Sequence, residues 1–478
     1  MRKRHKKQCL ETLELLREAD KEIADKLLAG LKQEALELLA QCQQGAIGLG
    51  NFLEGSGNGD EAGGVISQLE AYCELIYRFY SDITAGNLTE PRQIRKKLDK
   101  CINRAVSAVN ALPTREEIVF LPYKAAMWDS LESVWKKADA DENCDAYVIP
   151  IPYCDRNPDG TVREVHYEAD LLPKGVPITH FEAYDFASRH PDRIYIHNPY
   201  DEFNHVTSVD PAFYSGKLKQ YTDELVYIPY FILDEPPEAV VKELRDGKPS
   251  GEMVTDPETG QEKSLLDAYL ESLSNYVLLP GVLNADKVIV QSEEMKDCYV
   301  EILTRQFGEE TRQEWERRIE GTGSPKVDKV LNTNMEDLEI PDRWERIFTK
   351  PDGSRKKIIL YNTGLSAMLK ENERMLAKIR DVFRIFRENS EDIALLWRPH
   401  PLLEATLASM RTELAEEYRE IKEGYQEEGF GIYDDSADLD RAIILSDAYY
   451  GDMSSVVWLY KKTGKPIMIQ NAEILEND

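Results

Sequence analysis

The sequence predicts an α/β protein in which a helical segment precedes two Rossmann-like domains that face one another. Residues 1–112 carry apolar side chains at helical spacing. After Pro113, short apolar runs alternate with helical patterns, as in parallel strands joined by crossover helices. A hydrophilic, turn-rich interval at residues 341–355 separates this series from a second one. We therefore predict three domains, at residues 1–112, 113–345 and 346–478.

The front segment is predicted to be a helical hairpin or bundle. Residues 9–43 have the pattern of an amphipathic helix, residues 45–64 are rich in glycine and predict a loop, and two more helices are expected near 65–84 and 90–112. The pattern favours a packing element or a surface for a homo-oligomer. The alternative is peripheral contact with the inner face of the cell membrane through the basic residues 1–7, because anionic lipid attracts such clusters.

The two later series predict the strands and helices of two parallel sheets. In the first, strands are expected at 117–121, 146–151, 193–196, 225–228 and 287–290, with a helix at 128–138. In the second, strands at 357–361, 393–397, 431–433, 448–450 and 466–469 alternate with helices at 372–389, 403–426, 439–445 and 455–463. Such folds bind ligands at the carboxyl ends of their strands, in the crevice between the halves.

Charge and motif content exclude several classes of function. Lys and Arg number 59 against 88 Asp and Glu, a net charge of −29 that argues against nucleic acid as a partner. The seven cysteines are scattered without a C-x-x-C pair, so we expect reduced thiols rather than disulfides or zinc ribbons. No apolar run is long enough for a membrane span, and we expect a cytoplasmic protein. Metalloprotease, P-loop, hydrolase-elbow and dinucleotide motifs do not occur.

Three segments could carry chemistry at strand ends. In residues 446–457, a strand leads through Gly451 to Asp452 and to Ser454 and Ser455, which open a helix. That arrangement suits a phosphate cradle, and its alternative is an ordinary helix cap. Arg398 and His400 follow another strand between prolines, where they could grip an anion, although a structural histidine is also consistent.

His197 ends a strand of the first series, and its imidazole suits general-base work near neutral pH. The glycine-containing segment around Gly323 is a weaker candidate for close approach of the backbone to a ligand.

Together these residues resemble the CDP-glycerol glycerophosphotransferases, the family that includes teichoic acid glycerophosphate primases and polymerases. The resemblance spans about residues 117–470 and rests on five motifs in order. They are His197 at its strand end, the segment Gly323-Ser324-Pro325-Lys326-Val327-Asp328, the strand Leu360-Tyr361-Asn362-Thr363, the turn Arg398-Pro399-His400-Pro401, and residues 447–460 followed by Gly464-Lys465-Pro466.

The resemblance implies a GT-B-like fold whose C-terminal half binds CDP-glycerol and whose N-terminal half presents the acceptor. Glycerol phosphate would pass to an acceptor hydroxyl with release of CMP, and the acceptor would be a polyol phosphate or a lipid-linked glycan. No cofactor or metal is expected beyond the donor substrate. The implied catalytic residues are His197, as general base, and His400. The implied donor-binding residues are Arg398, His400, Asp452, Ser454, Ser455, Thr363 and Gly323.

Two other functions remain open at this point. One is a GT-B sugar transferase that uses another nucleotide-activated donor. The other is a non-catalytic scaffold of the same fold in cell-envelope assembly, with the helical segment binding partners.

Overall fold

The computed structural model describes residues 1–55, 59–87, 90–255, 260–436 and 438–470. The chain divides into two compact units, residues 1–117 with 141–145, and residues 118–140 with 146–478. Each unit follows from a different apolar pattern, helical in the first and alternating strand and helix in the second.

The first unit contains a bundle of four helices. They are α1 (Lys3–Leu28), α2 (Lys32–Leu53), α3 (Gly59–Ala85) and α4 (Pro91–Ala111). Each helix packs against two neighbours, and the apolar stripes meet in one core that includes Leu13, Leu39, Tyr72 and Leu98. The helical pattern therefore buries one face of every helix.

Two expectations for this unit were wrong. The single helix expected at 9–43 is two helices, because the chain turns at residues 29–31. Most of the loop expected at 45–64 is helical, since α2 continues to Leu53 and α3 begins at Gly59; residues 56–58 lie outside the described part. Ala46, Leu49 and Leu53 are buried in the bundle, so packing outweighs the poor helix propensity of the glycines.

The basic start of the chain is folded into α1 rather than extended. The Lys6 Nζ donates to the carbonyl oxygens of Asn110 and Leu112 at 3.0 and 2.8 Å, and the Lys3 Nζ lies 3.1 Å from a carboxylate oxygen of Glu116. These charges are engaged within their own unit. Membrane contact through residues 1–7 thus remains a prediction that this geometry does not favour.

The second unit begins with a sheet of six strands in the order β11-β10-β7-β5-β1-β2. The strands are β1 (Glu116–Leu121), β2 (Cys144–Val148), β5 (Arg193–Ile196), β7 (Glu224–Tyr227), β10 (Lys287–Ile289) and β11 (Ile319–Glu320). The pairs β1–β5, β5–β7, β7–β10 and β10–β11 are parallel. The chain proceeds from β1 to β2 on one side and then to β5 on the other, so a topological switch point lies between β1 and β5.

Other elements of this half were not expected from the sequence. An antiparallel sheet and a hairpin are formed by β3 (Tyr153–Arg156), β4 (Val162–His166), β6 (Thr207–Val209), β8 (Met253–Thr255) and β9 (Glu262–Ser264). The helices are α5 (Glu132–Asp139), α6 (Phe186–Arg189), α7 (Ser215–Leu218), α8 (Glu238–Asp246), α9 (Leu265–Val277), α10 (Pro280–Asn284), α11 (Glu293–Phe307), α12 (Arg312–Arg318) and α13 (Pro325–Asn332). A 3-10 helix, Ala125–Ser130, follows β1.

The second sheet has five parallel strands in the order β14-β13-β12-β15-β16. They are β12 (Lys357–Thr363), β13 (Ile393–Pro399), β14 (Ile432–Tyr433), β15 (Ala448–Gly451) and β16 (Ile467–Ile469). Its helices are α14 (Asp342–Phe348), α15 (Leu365–Glu371), α16 (Glu373–Glu388), α17 (Leu403–Met410), α18 (Thr412–Glu428), α19 (Leu439–Leu445) and α20 (Ser455–Lys461). This strand order is that of one half of a Rossmann fold, and the switch point lies between β12 and β15.

The interval expected to be an irregular linker at 341–355 contains helix α14. Its Trp344 and Phe348 are buried with Ile358 and Leu360 of β12, so this helix belongs to the core of the second sheet. The helix expected at 403–426 is likewise two helices, which meet at Arg411. The α/β fold class, with two parallel sheets in a GT-B-like arrangement after a helical segment, is confirmed.

No helix in the described ranges is long and apolar enough to cross a membrane.

The end of β15 approaches β12 so closely that only glycine fits there. Gly451 has a φ of +138°, and a Cβ at this position would lie 2.3 Å from the carbonyl oxygen of Asn362. We expect Gly451→Ala to lower the free energy of unfolding by more than about 2 kcal/mol, because it combines backbone strain with a clash against backbone.

Thermal unfolding followed by circular dichroism measures this effect. The matched control is Gly48→Ala in α2, where a Cβ meets no atom within 4 Å and a more stable helix is expected. Equal melting temperatures for the two variants would contradict the packing described for β15.

Candidate functional site

A cavity of about 520 Å³ lies between the two sheets of the second unit. One wall comes from the residues after β1 and from Glu168 to Pro173, and the other from the turns after β13 and β14. Both walls are thus built at carboxyl ends of strands, where α/β proteins bind ligands. The cavity is large enough for a small phosphorylated molecule.

Lys124 is the cation of the first wall. It follows β1 by three residues, its side chain is 8% exposed, and its Nζ lies 4.6 Å from the centre of the Tyr153 ring. Burial lowers the pKa of Lys124, while Glu168 and Asp155 act in the opposite direction. No described side chain forms a hydrogen bond or ion pair with its Nζ. A nearly buried ammonium without a bonded partner, beside a cavity, is suited to an anionic ligand.

His400 faces Lys124 from the second wall. Its Nδ1 accepts a hydrogen bond from the Leu402 N–H at 3.1 Å, so in the neutral ring the proton is on Nε2. Burial and then the charge of Lys124 lower the pKa of His400 to about 4. His400 can therefore donate its Nε2–H to an oxygen of a ligand, but it is not arranged to remove a proton there.

Arg398 also lines the cavity, but its guanidinium is already engaged. Its Nη1 is paired with the Asp434 carboxylate, and its Nη2 donates to the carbonyl oxygen of Ser436 at 2.7 Å. Asp434 in turn accepts from the Ser436 hydroxyl at 2.6 Å. Arg398 thus fixes the turn after β14, and the grip on an anion predicted for it would require these bonds to be replaced.

His197 lies in the core of the first sheet rather than in the cavity. The Tyr123 N–H donates to its Nε2 at 3.1 Å, and its Nδ1 is 2.9 Å from the Ser130 Oγ. The side chain is fully buried, and burial lowers its pKa to about 3. Because both ring nitrogens have protein partners, the general-base role predicted for His197 would require one of these bonds to be replaced.

Asp452 lies at the switch point of the second sheet, and both of its carboxylate oxygens accept hydrogen bonds from the protein. One carboxylate oxygen accepts from the Gly364 N–H at 2.7 Å, and the other from the Lys378 Nζ at 2.7 Å. Lys378 is fully buried. Of the two roles predicted for Asp452, orienting the loop fits this geometry, and donor binding would require these bonds to be replaced.

Thr363 and Ser454 are likewise used within the protein. The Trp397 Nε1–H donates to the Thr363 Oγ1 at 3.2 Å. Ser454 caps α20 by accepting from the Val456 N–H at 3.3 Å, and its hydroxyl donates to the Asn362 Oδ1 at 2.7 Å. Ser455 is half-buried, and no described group bonds its hydroxyl. Ser454 thus serves as a helix cap here, and Ser455 is the hydroxyl of the predicted phosphate cradle that no described group bonds.

Gly323 precedes helix α13, which joins the two halves of the unit. Gly323 has a φ of +120° and open space where a Cβ would stand, so its conformation rather than a close ligand accounts for the glycine. Three residues later, the buried Lys326 Nζ lies 2.5 Å from both carboxylate oxygens of Asp129. Lys329 lies 2.6 Å from Glu132 and 3.3 Å from Asp440 of α19.

The structure therefore brings two of the predicted residues, Arg398 and His400, to one cavity and places the others outside it. Sequence reasoning missed Lys124, although its position three residues after a predicted strand was a usable signal. Among the described residues, no group of three or more His, Cys, Asp or Glu could hold a metal ion.

The resemblance inferred from the sequence is confirmed. Residues 263–476 match the family model described as CDP-Glycerol:Poly(glycerophosphate) glycerophosphotransferase. That segment contains the Gly323 to Asp328 motif, the whole second sheet and the His400 wall of the cavity. Among curated proteins, no sequence matches the chain.

Several solved structures are similar to the chain at low identity. The MnaA–UDP co-structure from S. aureus is 11% identical, with 74% of this chain and 78% of that chain covered and a TM-score of 0.40. UDP-GlcNAc 2-epimerase from Neisseria meningitidis bound to UDP-GlcNAc is 10% identical, with 74% and 82% covered and a TM-score of 0.40. The wall teichoic acid polymerase TagF is 14% identical, with 83% and 78% covered and a TM-score of 0.36. At these scores the likenesses carry no argument about ligand or reaction.

The pKa of His400 tests whether Lys124 and His400 face one another across the cavity. We expect Lys124→Met to raise this pKa above its value of about 4, because a positive charge near the ring is removed. Titration of the ring protons by NMR measures it, with His400→Gln to assign the signal.

Lys217→Met is the control, since Lys217 also lies over a tyrosine ring, at 5.5 Å from that of Tyr221, but outside the cavity. An unchanged His400 titration in Lys124→Met would contradict the facing arrangement.

The lowered pKa of His400 also makes the stability of the protein depend on pH. The unfolded chain binds a proton below pH 6.5 that the folded protein does not bind until about pH 4, so stability falls as the pH decreases through this range.

Proposed function

We propose that the chain is a transferase that moves glycerol phosphate from CDP-glycerol to an acceptor hydroxyl with release of CMP, in the synthesis of a teichoic-acid-like or capsular cell-wall polymer. The observation that carries the proposal is the family match over residues 263–476, because this segment supplies the His400 wall of the cavity between the sheets. The acceptor is a polyol phosphate or a lipid-linked glycan.

The cavity offers the two kinds of donor that a pyrophosphate needs. The Lys124 ammonium supplies a positive charge from the first wall, and the His400 Nε2–H supplies a neutral hydrogen-bond donor from the second. In the transfer, the acceptor oxygen forms a bond to the phosphorus that carries glycerol, and the bond from this phosphorus to the oxygen of CMP breaks. Negative charge builds up on the leaving phosphate, which Lys124 and His400 are placed to stabilise.

The hydroxyl proton of the acceptor goes to a carboxylate of the cavity. Asp435 is the candidate, because it is exposed in the segment after β14 and no described group bonds it. A weakly basic carboxylate suffices, since phosphoryl transfer through a loose transition state depends chiefly on positioning and charge stabilisation. His197 then acts indirectly, because the Tyr123 N–H that it holds precedes Lys124 in the chain.

Release of CMP tests this function and the role of Lys124 together. With CDP-glycerol and a glycerol phosphate oligomer as acceptor, we expect Lys124→Met to lower kcat/KM by roughly 100-fold, the effect of removing one donor to developing charge. Lys217→Met, an exposed lysine on the same unit, is expected to retain wild-type activity.

Two results would contradict the proposal. Absence of both CMP release and CDP binding in the wild-type protein would favour a scaffold, and release of nucleotide from a sugar donor alone would favour a sugar transferase. Equal activity of Lys124→Met and Lys217→Met would be consistent with the proposed reaction but would show that Lys124 has no role in it.

A further inference from the structure

Helix α4 carries a row of four cations on its outward face. Arg92, Lys96, Lys100 and Arg104 are all exposed, and no described group pairs with any of them. Their spacing of four residues places them along one ridge that is inclined to the helix axis, with about 6 Å of axial rise between neighbours and about 18 Å in all. Arg95 and Lys97 add two exposed cations beside the row, and Asp99, 3.6 Å from Arg95, is the carboxylate among them.

The row borders a groove between α3 and α4. Its volume is about 1070 Å³, and the α3 side is formed by Gly64 and Gln68, which carry no charge. Asn103 lies along the same groove and accepts a hydrogen bond at 3.1 Å from Arg17 of α1, whose guanidinium is also paired with Glu14.

Folding does not require this charge pattern. The apolar residues of α4 already bury one face of the helix in the bundle core, and they are Ile94, Leu98, Ile102, Ala105 and Val109. Like charges four residues apart destabilise a helix, so the row opposes the stability of the element that carries it. A concentration of cations in a chain with a net charge of −29 therefore points to an anionic partner.

We propose that this row binds a linear phosphodiester polymer. The inference rests on the proposed function, which makes that polymer the growing glycerol phosphate chain of the acceptor. A line of cations along a groove complements charges that repeat along one chain. A bilayer is a poorer fit, because the exposed side chains between the cations, among them Gln93 and Asn103, are polar and offer no apolar group for insertion. The row lies outside the matched segment 263–476.

Binding of a fluorescently labelled poly(glycerol phosphate) chain to the full-length protein, measured by anisotropy, tests the proposal without any turnover. We expect the double variant Lys96→Gln/Lys100→Gln to bind roughly tenfold more weakly and with a shallower salt dependence, because two ionic contacts are removed. The control Lys21→Gln/Lys32→Gln removes the same charge from exposed positions on α1 and α2 and is expected to bind as the wild type does.

The competing partners give different results. Equal binding by the two double variants would overturn the proposal, and so would loss of binding to anionic vesicles in Lys96→Gln/Lys100→Gln with polymer binding unchanged. Failure of the proposed function is seen separately. A protein that binds the polymer through the row but releases no CMP would retain this inference and lose the transferase.

Discussion

The buried ion pair between Lys326 and Asp129 is the contact on which the candidate site depends. It joins helix α13 to the 3-10 helix after β1, and it is flanked by the contacts of Lys329 with Glu132 and Asp440. Burial lowers the pKa of Lys326 and Asp129 opposes this, so the pair is stable only while both partners are present. Loss of one partner of a buried pair typically costs about 3–5 kcal/mol. The pair thus fixes α13 beside the first sheet, and Lys329 connects the same helix to Asp440 of α19 in the second sheet's half.

A second set of buried contacts explains why the cavity lies where it does. In the second sheet, Lys378, Asp452 and Gly364 occupy the switch point between β12 and β15 with hydrogen bonds of the protein itself. The neighbouring strand ends, after β13 and β14, carry His400 and Asp434 and remain open to the cavity. In the first sheet, His197 fills the end of β5 and holds Tyr123, which leaves Lys124 at the cavity. Strand ends filled by the protein's own contacts thus lie beside strand ends that line the cavity, and the latter offer groups to a ligand.

Much of the parallel-sheet framework was predictable because its strands are short apolar runs bounded by turns. The predicted helix at 439–445 coincides with α19, and β1, β5 and β12 lie within a few residues of their predicted positions. The antiparallel strands β3, β4 and β6 were missed because they lack such a run. Strand β4 is exposed or half-buried, and the buried positions of β3 and β6 include the polar residues Asp155, Thr207 and Ser208. The glycine-rich part of α2 was missed because its helicity depends on burial of Ala46, Leu49 and Leu53 against other helices. The helix propensities of the individual residues do not include the stabilisation that comes from this burial.

The candidate site was predictable in part for a similar reason. Sequence position identified Arg398, His400, Asp452 and His197 as polar residues at strand ends, which is correct. Whether such a residue serves a ligand or the protein depends on its partners in space, and these come from distant segments, such as Lys378 for Asp452 and Ser130 for His197. Lys124 is the converse case, since its significance is the lack of a bonded partner among the described residues.

The position of a bound nucleotide tests the account most directly. A crystal structure of the protein with CDP should show the pyrophosphate between the Lys124 Nζ and the His400 Nε2, with the Asp452–Lys378 contact intact. A pyrophosphate at Ser454 and Ser455, away from Lys124, would contradict the assignment of the cavity and restore the site that the sequence alone predicted.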